Sequence, residues 1–550
     1  MKRIKALLAV SLAALAALAL IACGGEDNGP GIGPDGGGNA KRGSINIAIP
    51  MTEDEKSVME AVVAGYNALN PFVSVGIDPK GAGGEYPIWL NTVLSPDNLE
   101  NVSADIVRNN LSSHLFGSGK FVDFSQYLSE TNPYAGGAVW SETLDGMALV
   151  PTGAKGEIFS LSFQSLQVSF YYNADIFAAA GVDAAGIAAW GDLIAACEKI
   201  KAYDGTVTPL AINGSPDSFW SGQMSWIFRA YVDQYFRDAA EATHTREGDW
   251  NYDGLTGKDK SWAYAPNFSD YDASLPEAER RQKAFFNDDP RVYTTNELRL
   301  LRKVKDGEYG HDTARYKNML ANLKEVFPKY CGTAYTTQDD TSFWTGKAAI
   351  ALDTTDLLVE WKKKADIAPE TSFGLGRFDF PAMTAHPAYP GGAPAVDYAR
   401  SIGGPHGYYG VVNKSAKQTD LVMDFMKYWV SKAGQDAEMQ KRKELGLCVK
   451  GVPYVKGVTI PPEINILGDV ELRGVADFNP AAVFARGLGN EGYTTRDFQN
   501  YTQQLFVTSG TTIDAYAANM RNSMSTYMVE YLKTRGYRAN ALDDVTLNPF

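Results

Sequence analysis

At 550 residues, 45% hydrophobic and 12% aromatic, the chain holds more apolar side chains than one compact core accommodates, so at least two large lobes are expected. Its 51 basic residues stand against 65 acidic ones, a formal net charge of −14. A surface this acidic repels nucleic acid and anionic lipid, which excludes both as principal partners.

Taken in chain order, Lys2, Arg3 and Lys5 come first, followed by an apolar run from Ala6 to Ala22 broken only by Ser11. That is the layout of a secretory signal, and no later stretch is apolar enough to cross a bilayer. Leu20-Ile21-Ala22-Cys23 resembles the lipobox of bacterial lipoproteins. The resemblance implies that residues 1–22 are removed and that Cys23 is acylated. The mature chain is then exported and lipid-anchored to the outer face of the cell membrane, or on its periplasmic side, since no other anchor is evident. Residues 23–43 are rich in glycine and lack periodicity, so they read as a flexible tether. The tether contains a literal GxGxxG at Gly31, Gly33 and Gly36, but no strand precedes it and no helix follows. A dinucleotide fingerprint needs both.

Ordered structure is expected from Ser44. Ile45, Ile47 and Ile49 alternate as in a strand, and a helix follows with Val58, Val62, Val63, Tyr66 and Leu69 on one face. Pro71 stops it, and strands are expected at 73–77 and 104–107. The same rhythm returns with a strand at 169–172, a helix over 193–203 and a strand at 208–212. Further strands are expected at 348–352, 373–378 and 408–412. Helices dominate beyond Thr419, with Leu421, Phe425, Tyr428 and Trp429 on one face. Alternating strands and helices of this kind mean βαβ units and a mainly parallel sheet. Residues 239–310 are charged and aromatic without clear period, and read as an insertion on one lobe.

With Cys23 committed to lipid, Cys197, Cys331 and Cys448 remain. Cys197 reads as a buried thiol, and a Cys331–Cys448 bridge is open to the sequence. The five histidines are not spaced as a helical metal pair. Asp249, Asn251, Asp253 and Gly254 match the first half of a calcium loop, but its twelfth position is Lys260, which would repel the ion. No metal and no cofactor is expected.

Several blocks then occur in a recognisable order: Tyr66-Asn67-Ala68-Leu69-Asn70-Pro71, Ala104-Asp105-Ile106-Val107, Ser169 to Phe177 followed by Ala180-Gly181, Phe343 to Ile350, and Gly407 to Ser415 leading into a helix. From Ser44 to the C-terminus this order resembles the family 1 extracellular solute-binding proteins, the sugar-type receptors of ABC importers. The resemblance implies a two-lobed α/β periplasmic-binding fold with hinge-linked lobes and a ligand between them. It places residues 44–165 and 380–435 in the first lobe, and 166–379 and 436–550 in the second. The crossings would fall near 167–172 and 373–380. The implied partners are a mono- or oligosaccharide and the transmembrane subunits of a permease, with a monomeric receptor and no catalysis.

A sugar presents C–H faces ringed by hydroxyls, so its receptor needs flat aromatics and planar carboxylates or amides. Trp220 follows the strand 208–212 and its Asn213-Gly214-Ser215-Pro216 turn, and is the stacking candidate ahead of Trp226, which reads as packing. Asn109 follows the third strand at its carboxyl end, where a turn role is the alternative. Glu53 lies just after the first strand and also suits the helix N-terminus it opens. Gln164 and Gln167 sit at the expected crossing, where polar side chains in an apolar strand need partners; a solvated strand edge is the alternative reading. Asp353 and Asp356 stand where relatives often carry a tryptophan, which points to a more hydrogen-bonded ligand; capping a helix is their alternative use. Two rival functions remain open. A secreted carbohydrate-active enzyme would need two carboxylates facing one bond, and a surface glycan-binding lipoprotein of the helical-repeat kind would lack the alternating strands.

Overall fold

The computed structural model describes residues 41–550 apart from 82–84, 150–151, 153–155, 253, 255–261, 290–292, 333–334, 336–340, 370–371, 450, 466–474 and 489–492. The signal, Cys23 and nearly all of the tether therefore lie outside the described residues. From Gly43 to Phe550 the chain forms one compact unit.

Two sheets organise it. Strands β1 (Gly43–Ala48), β2 (Val73–Ile77), β3 (Ile106–Arg108) and β9 (Tyr409–Val411) form the first, in the order β2-β1-β3-β9. The first three are parallel and β9 runs antiparallel to β3. The second sheet is built on the long β4 (Gln164–Asn173). Its main path is β10-β4-β6-β5, with β5 at Thr208–Ala211, β6 at Ala348–Thr354 and β10 at Val452–Pro453. Strands β7 (Leu375–Phe378) and β8 (Gly403–His406) also pair with β4.

The amphipathic pattern after β1 produces the helix Glu53–Leu69, which buries Val58, Met59, Val62, Val63 and Tyr66. Thr52 caps it, and three acidic residues in its first turn complement the helix dipole. Leu69, expected on the buried face, is instead exposed, because the helix ends there and the chain turns at Asn70. Around this helix the smaller core gathers Ile45, Ile47, Tyr66, Phe163, Phe425 and Trp429. The larger core gathers Phe170, Trp190, Leu210, Phe228, Leu320 and Met520. Phe380, Met383 and Ile402 belong to this larger core.

The sheets are joined at the start of β4. There Gln164–Gln167 has β8 along one edge, and Gln164–Ser165 has β10 along the other. Leu161 bridges to Tyr409 in the first sheet, and the Tyr454 amide donates to the Phe163 carbonyl at 2.7 Å. Three segments thus run side by side between the cores. The segment 373–380, expected to cross, does not: β7 stays within the second sheet, and the return passes through β8 to β9. A short strand beside a hinge reads like any other strand in sequence, since its neighbours alone make it a crossing.

The thiols of Cys197, Cys331 and Cys448 are all free and buried, so the Cys331–Cys448 bridge is not formed. Of the calcium-like stretch, Asp253 and Lys260 lie outside the described residues. Asp249 is held by Arg299 through Nε at 2.9 Å and Nη2 at 2.6 Å, which takes both carboxylate oxygens. Among the described residues no three His, Cys, Asp or Glu side chains gather to hold a metal, and no helix is long and apolar enough to cross a membrane.

Candidate binding site at the carboxyl ends of the strands

Open α/β sheets bind ligands beyond the carboxyl ends of their parallel strands. In the second sheet those ends are Ile212–Ser215 after β5 and Asp353–Asp356 at the end of β6. Gln223 ties them together: its Oε1 accepts from the Asn213 amide at 2.6 Å, and its Nε2 donates to the Leu352 carbonyl at 2.9 Å. Ser215 caps the helix Pro216–Ser221, which Gly222 ends before the helix Gln223–Tyr235 begins. That break sets Trp220 and Trp226 on different helices, both half-buried.

Trp220 lies under the guanidinium of Arg486, 5.6 Å from the ring centroid, and its carbonyl accepts a hydrogen bond from Arg486. Burial and the neighbouring charge of Arg229 hold the Arg486 side chain down to about 10. Arg229 makes a two-pronged ion pair with Asp477, at 2.8 and 2.7 Å. Tyr408 joins this group to the hinge. It sits in the left-handed region at φ 51°, between β8 and β9. Burial raises its phenol to about 12, with Asp477 raising it further while Arg229 and Arg108 oppose the rise. Arg108 ends β3 of the first sheet, while Arg229 lies on the helix Gln223–Tyr235 and Asp477 on a short turn, so charges from separate elements act on one tyrosine.

The residues singled out from the sequence separate into three groups. Trp220, Asp353 and Asp356 stand at the carboxyl ends of the second sheet and are half-buried, the exposure a ligand contact requires. Burial raises the Tyr171 phenol well above its ordinary value; Arg377 opposes the rise and the two aspartates add to it. Gln164 and Gln167 lie at the hinge in β4, the first half-buried and the second buried at 3% exposure. Glu53 and Asn109 belong to neither set. The Glu53 carboxylate is 89% exposed at the start of its helix, 4.0 Å from Lys56.

Asn109 is fully buried. Its amide donates to the Phe159 carbonyl at 2.9 Å and accepts from Ser160 Oγ at 2.5 Å, so both ends serve the framework. Gly410 beside it has no room for a Cβ, which would come within 2.2 Å of Asn109 Nδ2. We expect Asn109→Ala to cost about 1–3 kcal/mol in urea titration, because two buried partners lose their hydrogen bonds. Unaltered stability would return this side chain to the ligand candidates.

Arg229, Asp477, Arg486 and Tyr408 escaped the sequence reading. Arg229 follows Trp226 by three residues and shares its helix face, a signal that was available. Asp477 and Arg486 come from a segment with no periodicity, and only folding brings them to Trp220.

Residues 49–279 match the family described as bacterial extracellular solute-binding protein. No curated protein matches the chain. Among solved structures it is similar to the GacH receptor of Streptomyces glaucescens, at 16% identity and a TM-score of 0.51, covering 90% of this chain and 99% of that one. A family 1 extracellular solute-binding protein from Bifidobacterium longum subsp. infantis gives 14% identity and 0.51, with 88% and 100% covered. The cyclic alpha-maltosyl-1,6-maltose binding protein of Arthrobacter globiformis gives 14% and 0.50, with 88% and 98% covered. Over residues 49–279 the chain thus carries the sequence pattern of the bacterial extracellular solute-binding proteins, and over its folded length their two-lobed α/β architecture.

Proposed function

We propose that this chain is the lipid-anchored receptor of an ABC importer, capturing a carbohydrate between its lobes and delivering it to a membrane permease. The observation that carries the reading is the half-buried Trp220 at the carboxyl ends of β5 and β6, set among planar charged groups beside a three-segment hinge. Structures similar in fold are described as binding acarbose and cyclic maltosyl-maltose, which supports a saccharide as ligand. We place the first lobe at residues 44–163 with 408–444, and the second at 166–406 with 476–550. This moves the lobe boundary from 380 to the β8–β9 turn. It also brings the helix Lys432–Glu444 to the first lobe, where it packs on Glu53–Leu69.

A thermal-shift panel of mono- and oligosaccharides tests the ligand class, since a solute bound by the native state alone raises its midpoint. For a sugar found this way, Trp220→Ala should weaken binding by about one to two decades through lost stacking and burial. Unchanged affinity would remove Trp220 from the site. Binding should also reduce the radius of gyration in small-angle scattering, because contacts to both lobes close the hinge. A ligand held by one lobe alone would leave the scattering curve as it was. For the anchor, Cys23→Ser should abolish fatty-acid labelling and free the protein from membranes. Pelleting that persists without lipid would overturn that part of the reading.

A further inference from the structure

A cavity of about 710 Å³ opens on the flank of the second sheet, lined by none of the residues gathered around Trp220. It runs along Arg377–Phe380, the end of β7 and the two residues after it, with Tyr172 of β4 also in its lining. The helix Glu277–Phe286 and the segment around Tyr398 close its other side. Its volume falls within the range of small-molecule sites, about 300–1,000 Å³.

The lining is amphipathic. Tyr172, Phe268 and Tyr398 supply aromatic surface, with Phe268 and Tyr398 stacked at 4.7 Å and 20°. The Arg281 guanidinium stands 4.2 Å over the Phe268 ring, held there by Glu277. Asp397 is exposed at the rim and forms no hydrogen bond or ion pair among the described residues. Two cations, Arg281 and Arg377, and two anions, Asp379 and Asp397, therefore line the cavity together with the aromatics. A ligand of strong net charge gains from only one sign of charge. A neutral polyhydroxylated ring gains from both, since each hydroxyl donates and accepts.

We propose that this cavity is an accessory saccharide site, which takes a neutral oligosaccharide independently of the interlobe site. The inference rests on the carbohydrate reading above. Two sites on one tethered receptor would hold a second sugar beside the first and raise its effective concentration.

The test is equilibrium dialysis of the full chain with maltotetraose, xylotetraose and chitotetraose as probes, counting bound sugar. Ala185 lines the cavity and is exposed, so Ala185→Trp fills the mouth without touching a core. We expect two molecules bound by the unmodified chain and one by Ala185→Trp. Asp397→Ala should weaken that second event about tenfold, and Trp220→Ala should leave it unchanged. A single event lost in Trp220→Ala and indifferent to Ala185→Trp overturns the accessory site and leaves the importer reading standing. No binding of any probe by any form overturns both.

Discussion

Replacing Arg400 with methionine should destabilise the second lobe by about 3–5 kcal/mol, the usual cost of leaving buried charges unpaired. Arg400 is fully buried and makes two bonds to each of two carboxylates: Asp233 at 2.8 and 2.5 Å, Asp288 at 2.8 and 2.7 Å. Arg237, equally buried, completes a square of two cations and two anions. Asn479 donates to Asp233 at 2.9 Å. Burial pushes the Asp288 carboxyl well above its ordinary value, against the pull of Arg237. Without Arg400, two carboxylates would share one guanidinium in a site closed to water. The group also fastens the helix Glu277–Phe286 and the turn after it, because Asp288 follows that helix and Arg237 donates to its Ala284 carbonyl. Urea titration measures the loss, and the paired Arg400→Met, Asp288→Asn variant should recover part of it by restoring charge balance. A single-variant loss below about 1 kcal/mol would show that water reaches the group.

His311 makes the fold sensitive to acid. It is 1% exposed, ringed by Tyr316, Phe498 and Tyr516, with Nδ1 3.1 Å from the Met524 sulfur. Its Nε2 has no hydrogen-bond partner among the described residues. Burial alone lowers its titration from 6.5 to about 3. The unfolded chain therefore takes up a proton near pH 6.5 that the folded chain refuses until about pH 3. The stability this group supplies is complete above pH 6.5 and drains away as pH falls toward 3. The slope is about 1.4 kcal/mol per pH unit, so roughly 2 kcal/mol is lost by pH 5. His311→Phe keeps the ring and removes the titration. The difference in unfolding free energy between the two forms should widen in the variant's favour from pH 7.5 to 5, with all other groups cancelling. A difference that stays constant over that range would mean His311 is protonated in place.

How far the candidate site could be read in advance depended on how local its signals were. Trp220 was legible because a strand, a turn and a helix cap in sequence announce a carboxyl end, whatever the rest of the chain does. The same logic selects Asn109. Its position after β3 is also a carboxyl end, but Phe159 and Ser160, some fifty residues away, take both ends of its amide. Local order locates an edge; the contents of the space beyond it depend on distant segments. Arg486 and Asp477 lie more than 240 residues from their partners Trp220 and Arg229, as the separations of 266 and 248 record.

The sequence by itself determined the α/β class, the strand at 73–77 to the residue, and the family pattern over 49–279, because hydrophobic period and turn chemistry act within a few residues. It also determined the acidic balance and the apolar opening segment, which are properties of composition alone. Only the tertiary structure decided that β8 and β9 rather than β7 return the chain to the first sheet, since equivalent short strands differ only in their neighbours. It decided likewise that Asp249 pairs with Arg299, and that Arg400 closes a buried square of charge. Charges of opposite sign find one another through space when a core excludes water around them, and linear spacing holds no record of that encounter.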